Sequence, residues 1–172
     1  MSLSMSSASL PVFATMLGNL NHMLDKAQHF IDAKGCDPVA ITQYRLAPDM
    51  LPFTRQILIA CDAAKNGAAR IAGVEPPRFA DDEQTLPELK ARIDKTLAFL
   101  ATLSAHALDG TEDKEITFPI GRDSVRTMRA EAYLTTWVLP NMFFHIVTAY
   151  NILRHNGVDL GKRDYLVGSA AG

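Results

Sequence analysis

The last long apolar stretch of this 172-residue chain contains an asparagine and a histidine that are four residues apart. They are Asn141 and His145, within the segment 139–157, which is apolar on almost every side of a helix. Such a helix is typical of a buried position, and residues four apart lie on one face of it. Buried amide and imidazole groups must be hydrogen-bonded, bind a metal or face a cavity, so the pair predicts a polar site without identifying a reaction.

Further candidate side chains lie in the second predicted helix and in the loop before it. Asp62 is at the edge of the apolar arc of that helix, where a solvent-facing or ion-paired carboxylate is favoured over a ligand. Cys61 points further inward, as a small core residue would. In the loop, Tyr44 and Arg45 are candidates for a pocket. Arg45 could hold an anionic ligand, although a structural ion pair at the end of the bundle is favoured.

Hydrophobic periodicity predicts four long helices that would position these side chains. They are predicted at residues 10–34, 50–72, 86–108 and 139–157, with a shorter helical segment at 130–138. Ser9 and Asp49 are predicted N-caps, and Thr85 with Glu88 forms a predicted capping box. Pro140 either kinks one continuous helix or separates two.

A short β-hairpin is predicted between the third and fourth helices. Its strands cover 115–120 and 124–128, on either side of a turn that contains Gly121. Pro119 cannot donate a backbone hydrogen bond and therefore leaves at least one edge unpaired.

The predicted fold class is all-α, a four-helix bundle with long crossover connections and the small hairpin. The connections at 35–48, 74–84 and 109–129 are long for a minimal bundle, and long ordered loops often frame a site. A single domain is expected over residues 1–168, followed by a disordered tail at 169–172.

Composition limits the functional classes that fit this chain. The net charge is −2 with acids and bases interspersed, which argues against nucleic-acid binding. The longest apolar run, 138–152, is too short and too polar to cross a membrane. The first residues lack the pattern of a signal peptide, so a cytoplasmic location is expected.

Two further expectations concern the cysteines and the oligomeric state. Cys36 and Cys61 show no metal-ligand spacing and are expected to be free thiols. A helix that is apolar on all sides needs more than one apolar neighbour. Core packing can supply these neighbours, and the alternative is a subunit interface, on which the expected homodimer rests.

Several motifs resemble those of one superfamily of helical proteins. They are the segments 45–50 (RLAPDM), 139–141 (LPN), 150–158 (YNILRHNGV) and 161–164 (GKRD). His145, Arg154 and Gly157 also fall in the register of that superfamily's final-helix motif. The chain resembles the DinB-like four-helix-bundle superfamily of metalloenzymes and, within it, a bacterial family of unknown function.

This resemblance implies a divalent metal, Zn or Ni, that is held by three histidines. One would lie on the second helix, and the other two would form an i, i+4 pair on the fourth. His145 matches the second member of the pair, whereas Asn141 stands where the first is expected. The second helix contains no histidine, and its nearest candidates are Cys61 and Asp62. The implied metal ligands are therefore Asp62, Asn141 and His145, a weak set for such metals.

Three hypotheses follow for the function. The first is a bundle with a small-molecule pocket between the ends of helices two and four, which retains a weakened metal site at His145. Any hydrolytic or thiol-transfer activity would then be inferred only by analogy. The second is a metal-free binding or stress-related module that uses Asn141 and His145 for hydrogen bonding. The third is a structural dimer in which this polar pair is an internal lock. Candidates for lining a pocket are Tyr44, Arg45, Cys61 and Tyr150.

Overall fold

The computed structural model describes residues 3–121 and 123–171, and it confirms the predicted helical bundle with one small hairpin. Within these residues, four helices of 16 to 30 residues build the bundle. They are α1 (Met5–Lys34), α3 (Phe53–Ala72), α4 (Leu86–Ala101) and α7 (Leu139–His155). The shorter helices are α2 (Pro38–Thr42), α5 (Ala105–Leu108), α6 (Ala130–Tyr133) and α8 (Lys162–Leu166).

Helix α1 begins five residues earlier than its predicted start. Ser4 is the N-cap, and it forms a capping box with Ser7 in which each side chain accepts a hydrogen bond from the other's backbone N–H. The predicted N-cap, Ser9, is wrong because that residue is buried inside the helix, where its hydroxyl donates to the carbonyl of Met5 at 2.6 Å. Gly35, directly after the predicted span 10–34, ends the helix in the left-handed conformation.

Helix α3 begins at Phe53, with Pro52 as its N-cap, and not at residue 50 with Asp49 as the cap. The backbone N–H of Phe53 donates to the carbonyl of Tyr44 at 2.8 Å, which ties the start of α3 to the preceding loop. A partner from the loop therefore replaces the side-chain cap predicted for Asp49.

Helix α4 has the predicted capping box, in which Thr85 and Glu88 satisfy each other's backbone N–H groups. The helix ends at Ala101, and α5 is a separate short helix inside the span predicted to be continuous. The hydroxyl of Thr102 donates to the carbonyl of Phe99 at 2.7 Å, a local bond that competes with continuation of the helix.

The predicted hairpin is present as β1 (Glu115–Ile120) and β2 (Ser124–Arg129), paired antiparallel. Thr117 lies opposite Thr127, and their hydroxyls are 2.8 Å apart. Residue 122 in the turn lies outside the described residues.

The last long helix runs through Pro140 without a break. A single π-helical turn (Leu134–Val138) joins α6 to α7, and its backbone N–H to C=O bond from Leu139 to Leu134 spans five residues. Pro140 is the second residue of α7 and comes directly after the π turn, where the regular backbone hydrogen-bond pattern is already interrupted. The two segments predicted at 130–138 and 139–157 are therefore one continuous helix with a π turn between them.

Helix α3 packs between α7 and α4, whereas α1 packs mainly against α4 and α8. Along α3, Gln56 meets His145, and Arg70, fourteen residues further on, meets Tyr133. The two helices are therefore antiparallel. The buried cluster that fills the bundle draws on all four long helices and on the buried side of β1.

The C-terminal helix α8 is fastened to α1 by one carboxylate. Asp164 accepts hydrogen bonds from His22 and Lys26, each at 3.0 Å, and from the backbone N–H of Gly161 at 2.7 Å. Burial raises the pKa of Asp164, but these hydrogen bonds outweigh it and lower the pKa to about 2. Beyond α8, where a disordered tail is predicted from residue 169, Gly168–Ala171 forms a 3-10 helix, and residue 172 lies outside the described residues.

Two apolar side chains on α7 point away from the bundle. Phe144 is 57% exposed and Val147 is 39% exposed. A homodimer could bury these two outward-facing side chains. The homodimer stays a prediction. None of the described helices is long and apolar enough to cross a membrane.

Candidate functional site

A cleft of about 200 Å³ lies between α3 and the facing helix formed by α6, the π turn and α7. On α3 it is lined by one stripe of residues at spacings of three and four, namely Ile59, Asp62, Ala63, Asn66 and Arg70. The facing helix contributes Tyr133, Trp137, Val138 and Asn141, and the hairpin contributes Pro119. The cleft thus combines amide, charged and aromatic side chains from three parts of the fold.

Two of these side chains, Asn66 and Asn141, are half-buried amides on opposite walls of the cleft. In the part of the chain that the structure describes, neither amide has a hydrogen-bond partner. Each side-chain amide offers two donors and one acceptor. The cleft therefore presents amide groups from both helices that are open to a ligand or to water.

The end of the cleft near the hairpin is held in place by aromatic and arginine contacts. The guanidinium of Arg70 donates to the hydroxyl of buried Tyr133 at 3.0 Å. Burial raises the pKa of Tyr133, and the nearby Arg70 only partly offsets this effect. Phe118 packs against the rings of Tyr133 and Trp137, with centroid distances of 4.6 and 5.1 Å, so the hairpin fixes the position of Trp137.

Gly67, beside the α3 stripe, allows α3 to approach the facing helix closely. A methyl group at Gly67 would lie 2.5 Å from Cγ1 of Val138, which is buried in the π turn. The two helices can therefore touch here only because residue 67 has no side chain.

Asp62 belongs to an ion-pair network at the other end of the cleft. Its Oδ1 accepts from Lys65 at 2.9 Å and from Arg92 at 3.0 Å. Arg92 is only 1% exposed and also pairs with Asp81 and Glu83 from the connection before α4. This network fastens that long connection to α3 and α4.

His145 is tied to the first turn of α3 and not to Asn141. Its Nδ1 lies 2.7 Å from Oε1 of Gln56, and the Nε2 of Gln56 donates to the carbonyl of Leu51 at 2.8 Å. A carbonyl only accepts, so the amide nitrogen must face Leu51 and the amide oxygen must face the imidazole. Nδ1 therefore carries the proton, and the lone pair is on Nε2. Burial lowers the pKa of His145 to about 4, which keeps the ring neutral near pH 7.

The chain is similar to known proteins over most of its length. The model of the family described as Domain of unknown function (DUF1993) matches residues 5–166. The chain belongs to the DUF1993 family. A crystal structure of a DinB family member protein from Shewanella denitrificans is similar to it, with 38% sequence identity and a TM-score of 0.84, over 92% of this chain and 89% of that one. No curated protein matches the chain.

The side chains implied as metal ligands have other partners or line different places in this DUF1993 protein. Among residues 3–121 and 123–171, no three His, Cys, Asp or Glu side chains lie close enough to hold an ion together. The Oδ1 of Asp62 is already shared by two cations, and Nδ1 of His145 is bonded to Gln56. Asn141 lines the cleft, and His145 is not among the residues that line it. The donor set therefore does not fit the metal that the DinB-like resemblance implies.

The four predicted pocket residues lie in different places in the DUF1993 fold. Cys61 is fully buried in the core, and burial raises the pKa of its thiol to about 12, so it is not a pocket residue. Tyr44 packs its ring on His155 at a centroid distance of 5.6 Å. Arg45 is exposed and donates to the carbonyl of Met50 at 3.3 Å. Tyr150 lines a separate apolar cleft of about 180 Å³ near α8.

The sequence pattern of this DUF1993 chain does not single out Gln56, Asn66 or Arg70 as site residues. Asp62, Asn66 and Arg70 are spaced at i, i+4 and i+8, and this polar stripe beside an apolar arc is a signal that could have located the cleft. The same pattern also fits a solvated helix face, and only the partner helix distinguishes the two. Gln56 carries no signal of its own, because its role depends on contact with a residue 89 positions away.

Proposed function

We propose that this DUF1993 protein binds a small polar organic molecule in the cleft between α3 and α7, through hydrogen bonds and without a metal ion. The observation that carries this proposal is the pair of unpartnered amides, Asn66 and Asn141, on opposite walls of one cleft. Half-buried amides of this kind can bond a ligand by exchanging water, without breaking a hydrogen bond inside the protein.

The aromatic wall of the cleft supports the same proposal. Trp137 offers a half-buried ring on the wall of the cleft, and it lies within the π turn, a feature that is frequent at functional sites. Ligand sites commonly pair such apolar surface with a few fixed polar groups.

The dimensions of the cleft limit the ligand. Its 200 Å³ is below the roughly 300 to 1,000 Å³ that is typical of pockets for drug-sized ligands. The ligand is therefore a compact molecule, or the compact end of a larger one.

The proposal is tested by screening a library of small polar fragments against ¹⁵N-labelled protein. The readouts are the side-chain NH₂ signals of Asn66 and Asn141 and the indole N–H signal of Trp137. Fragments that shift these signals should lose binding in Asn141→Leu, which removes one amide and fills part of the cleft. They should bind unchanged to Asn151→Leu, a matched variant at an exposed position on the same helix outside this cleft.

Two results would contradict the proposal. One is that no fragment shifts the three cleft signals. The other is that the fragments bind Asn141→Leu as tightly as the wild-type protein.

A further inference from the structure

The charges around the cleft are unevenly compensated. The only acid that lines the cleft in the described chain is Asp62, and its Oδ1 already pairs with Lys65 and Arg92. Its negative charge is therefore neutralised by groups of the protein itself, which leaves little attraction for a cationic ligand.

Arg70 is in the opposite situation. It lines the cleft, is half-buried, and its Nη1 donates to a neutral hydroxyl, that of Tyr133. Throughout the described residues, no carboxylate forms a salt bridge with Arg70. A partly buried guanidinium without a counter-charge is a favourable partner for an anion.

A second arginine adds positive charge at the same end. The guanidinium of Arg126, on β2, lies 5.8 Å from the centroid of the Trp137 ring. Over the described part of the chain, it too has no salt bridge to an acid. Two uncompensated cations therefore flank the aromatic wall.

The hydrogen-bonding groups of the cleft favour an acceptor-rich ligand. The hydroxyl of Tyr133 accepts from Arg70, so its own hydrogen is available to donate. Arg70 has further N–H groups beyond the one bonded to Tyr133, and both asparagine amides can donate. Donors thus outnumber the free acceptors, which are the two amide oxygens and the second oxygen of Asp62.

We infer that the ligand of this cleft is a small organic carboxylate, with its carboxylate bound by Arg70 and Tyr133 and its planar body against Trp137. This inference deepens the proposed function and rests on it. A carboxylate suits the site because the free N–H groups of Arg70 form a planar fork that matches two carboxylate oxygens. The flat indole of Trp137 beside it suits a flat, apolar remainder.

The test compares three probes of nearly the same shape and different charge: benzoate, benzamide and benzylammonium. Each is titrated into ¹⁵N-labelled protein while the Asn66, Asn141 and Trp137 side-chain signals are followed. We expect benzoate to bind at least about tenfold more tightly than benzamide, and benzylammonium to bind most weakly. Arg70→Gln should abolish the preference for benzoate. Arg45→Gln, which removes an exposed arginine outside the cleft, should leave it unchanged.

A second variant, Asn141→Asp, tests the inference independently in case Arg70→Gln does not fold. Asn141→Asp keeps the shape of the side chain and the contacts of Arg70, but places a negative charge in the cleft. It should therefore weaken the binding of benzoate and leave the binding of benzamide unchanged.

The remaining outcomes separate this inference from the proposed function. If benzamide or benzylammonium binds at these signals as tightly as benzoate, the carboxylate inference is wrong and the cleft remains a binding site. Retention of the benzoate preference in both Arg70→Gln and Asn141→Asp would also overturn it. If none of the probes shifts the cleft signals, the inference is wrong, and the fragment screen alone decides the proposed function.

Discussion

Nδ1 of His145 lies 2.7 Å from Oε1 of Gln56, and this hydrogen bond joins the middle of α7 to the first turn of α3. Gln56 is in turn fixed by the carbonyl of Leu51. The histidine that the DinB-like resemblance implies as a metal ligand is therefore hydrogen-bonded to a neutral amide, and this contact joins two helices of the bundle.

Removal of Gln56 should destabilise the protein through this bond. Gln56→Ala leaves the buried Nδ1–H of His145 without an acceptor, which should lower the free energy of unfolding by about 1 to 3 kcal/mol. Urea denaturation measures the change. Gln43→Ala, at an exposed position, is the matched control and should shift stability by less than about 0.5 kcal/mol. Equal stability of Gln56→Ala and the wild-type protein would show that the bond contributes nothing.

The same histidine should make stability depend on pH within a defined window. The folded protein keeps His145 neutral down to a pKa of about 4, whereas the unfolded chain protonates it near the ordinary value of 6.5. Between these values the unfolded state binds more protons, so the free energy of unfolding falls as pH falls from about 6.5 to about 4. The loss is at most about 3 kcal/mol and is absent above this window.

Urea denaturation at several pH values between 4.5 and 7.5 checks this prediction. His145→Phe should flatten the dependence, whereas His29→Asn, at an exposed histidine on α1, should leave it intact. The account of His145 fails if the slope persists in His145→Phe. The carboxylate of Asp164, with its pKa of about 2, loses its contribution only below this range, as pH falls from about 3.8 towards 2.

The close approach of α3 to the π turn predicts opposite effects at two helical glycines. Gly67→Ala would bring a methyl group to 2.5 Å from Val138, a short buried side chain with little freedom to move, and should cost about 1 to 3 kcal/mol. Gly18→Ala, on the exposed face of α1 with no atom within 4 Å of the added methyl group, should instead stabilise the protein by about 0.5 to 1 kcal/mol.

Thermal or urea unfolding of the two variants checks both signs. The double variant Gly67→Ala with Val138→Ala should recover part of the loss, because it removes the atoms that clash. A stabilising effect of Gly67→Ala alone would mean that the helices are further apart than the structure shows.

The two cysteines should differ in reactivity. Cys61 is fully buried and burial raises its thiol pKa to about 12, whereas Cys36 is partly exposed in the loop after α1. Brief treatment of the native protein with iodoacetamide should therefore label Cys36 alone, and unfolded protein should take two labels, as counted by mass spectrometry. Rapid labelling of Cys61 in the native protein would contradict its place in the core.

Much of the fold could be predicted from local patterns. The stripes of apolar residues locate four helices, and Gly35, Gly73 and the Thr85 capping box mark real helix ends. The errors arise where another contact competes with the predicted signal, as the capping box of Ser4 and Ser7 does at the start of α1. Asp49 is a good N-cap by type, but the carbonyl of Tyr44 takes the N–H of Phe53 and α3 begins there.

The candidate site could be predicted only in part. The DinB-like resemblance groups Asn141 and Asp62 in one site, and both line the cleft. The sequence does not show that Arg92 and Lys65 form ion pairs with Asp62. Nor does it show that Gln56 is hydrogen-bonded to His145. These partners are determined by how the helices pack. Asn141 and His145 do lie one turn apart on the same helix, as their spacing predicts. However, Asn141 lines the cleft, whereas His145 forms a buried hydrogen bond with Gln56.

The most direct test of a metal-free ligand site in this cleft is a benzoate titration of ¹³C,¹⁵N-labelled protein in the presence of EDTA. The side-chain amides of Asn66 and Asn141 and the ring of His145 are followed in the same spectra. We predict saturable shifts of both amides, with the His145 ring signals nearly unchanged. Amide signals that stay fixed in EDTA, together with benzoate binding that appears only after Zn²⁺ is added and shifts the His145 ring, would contradict the account.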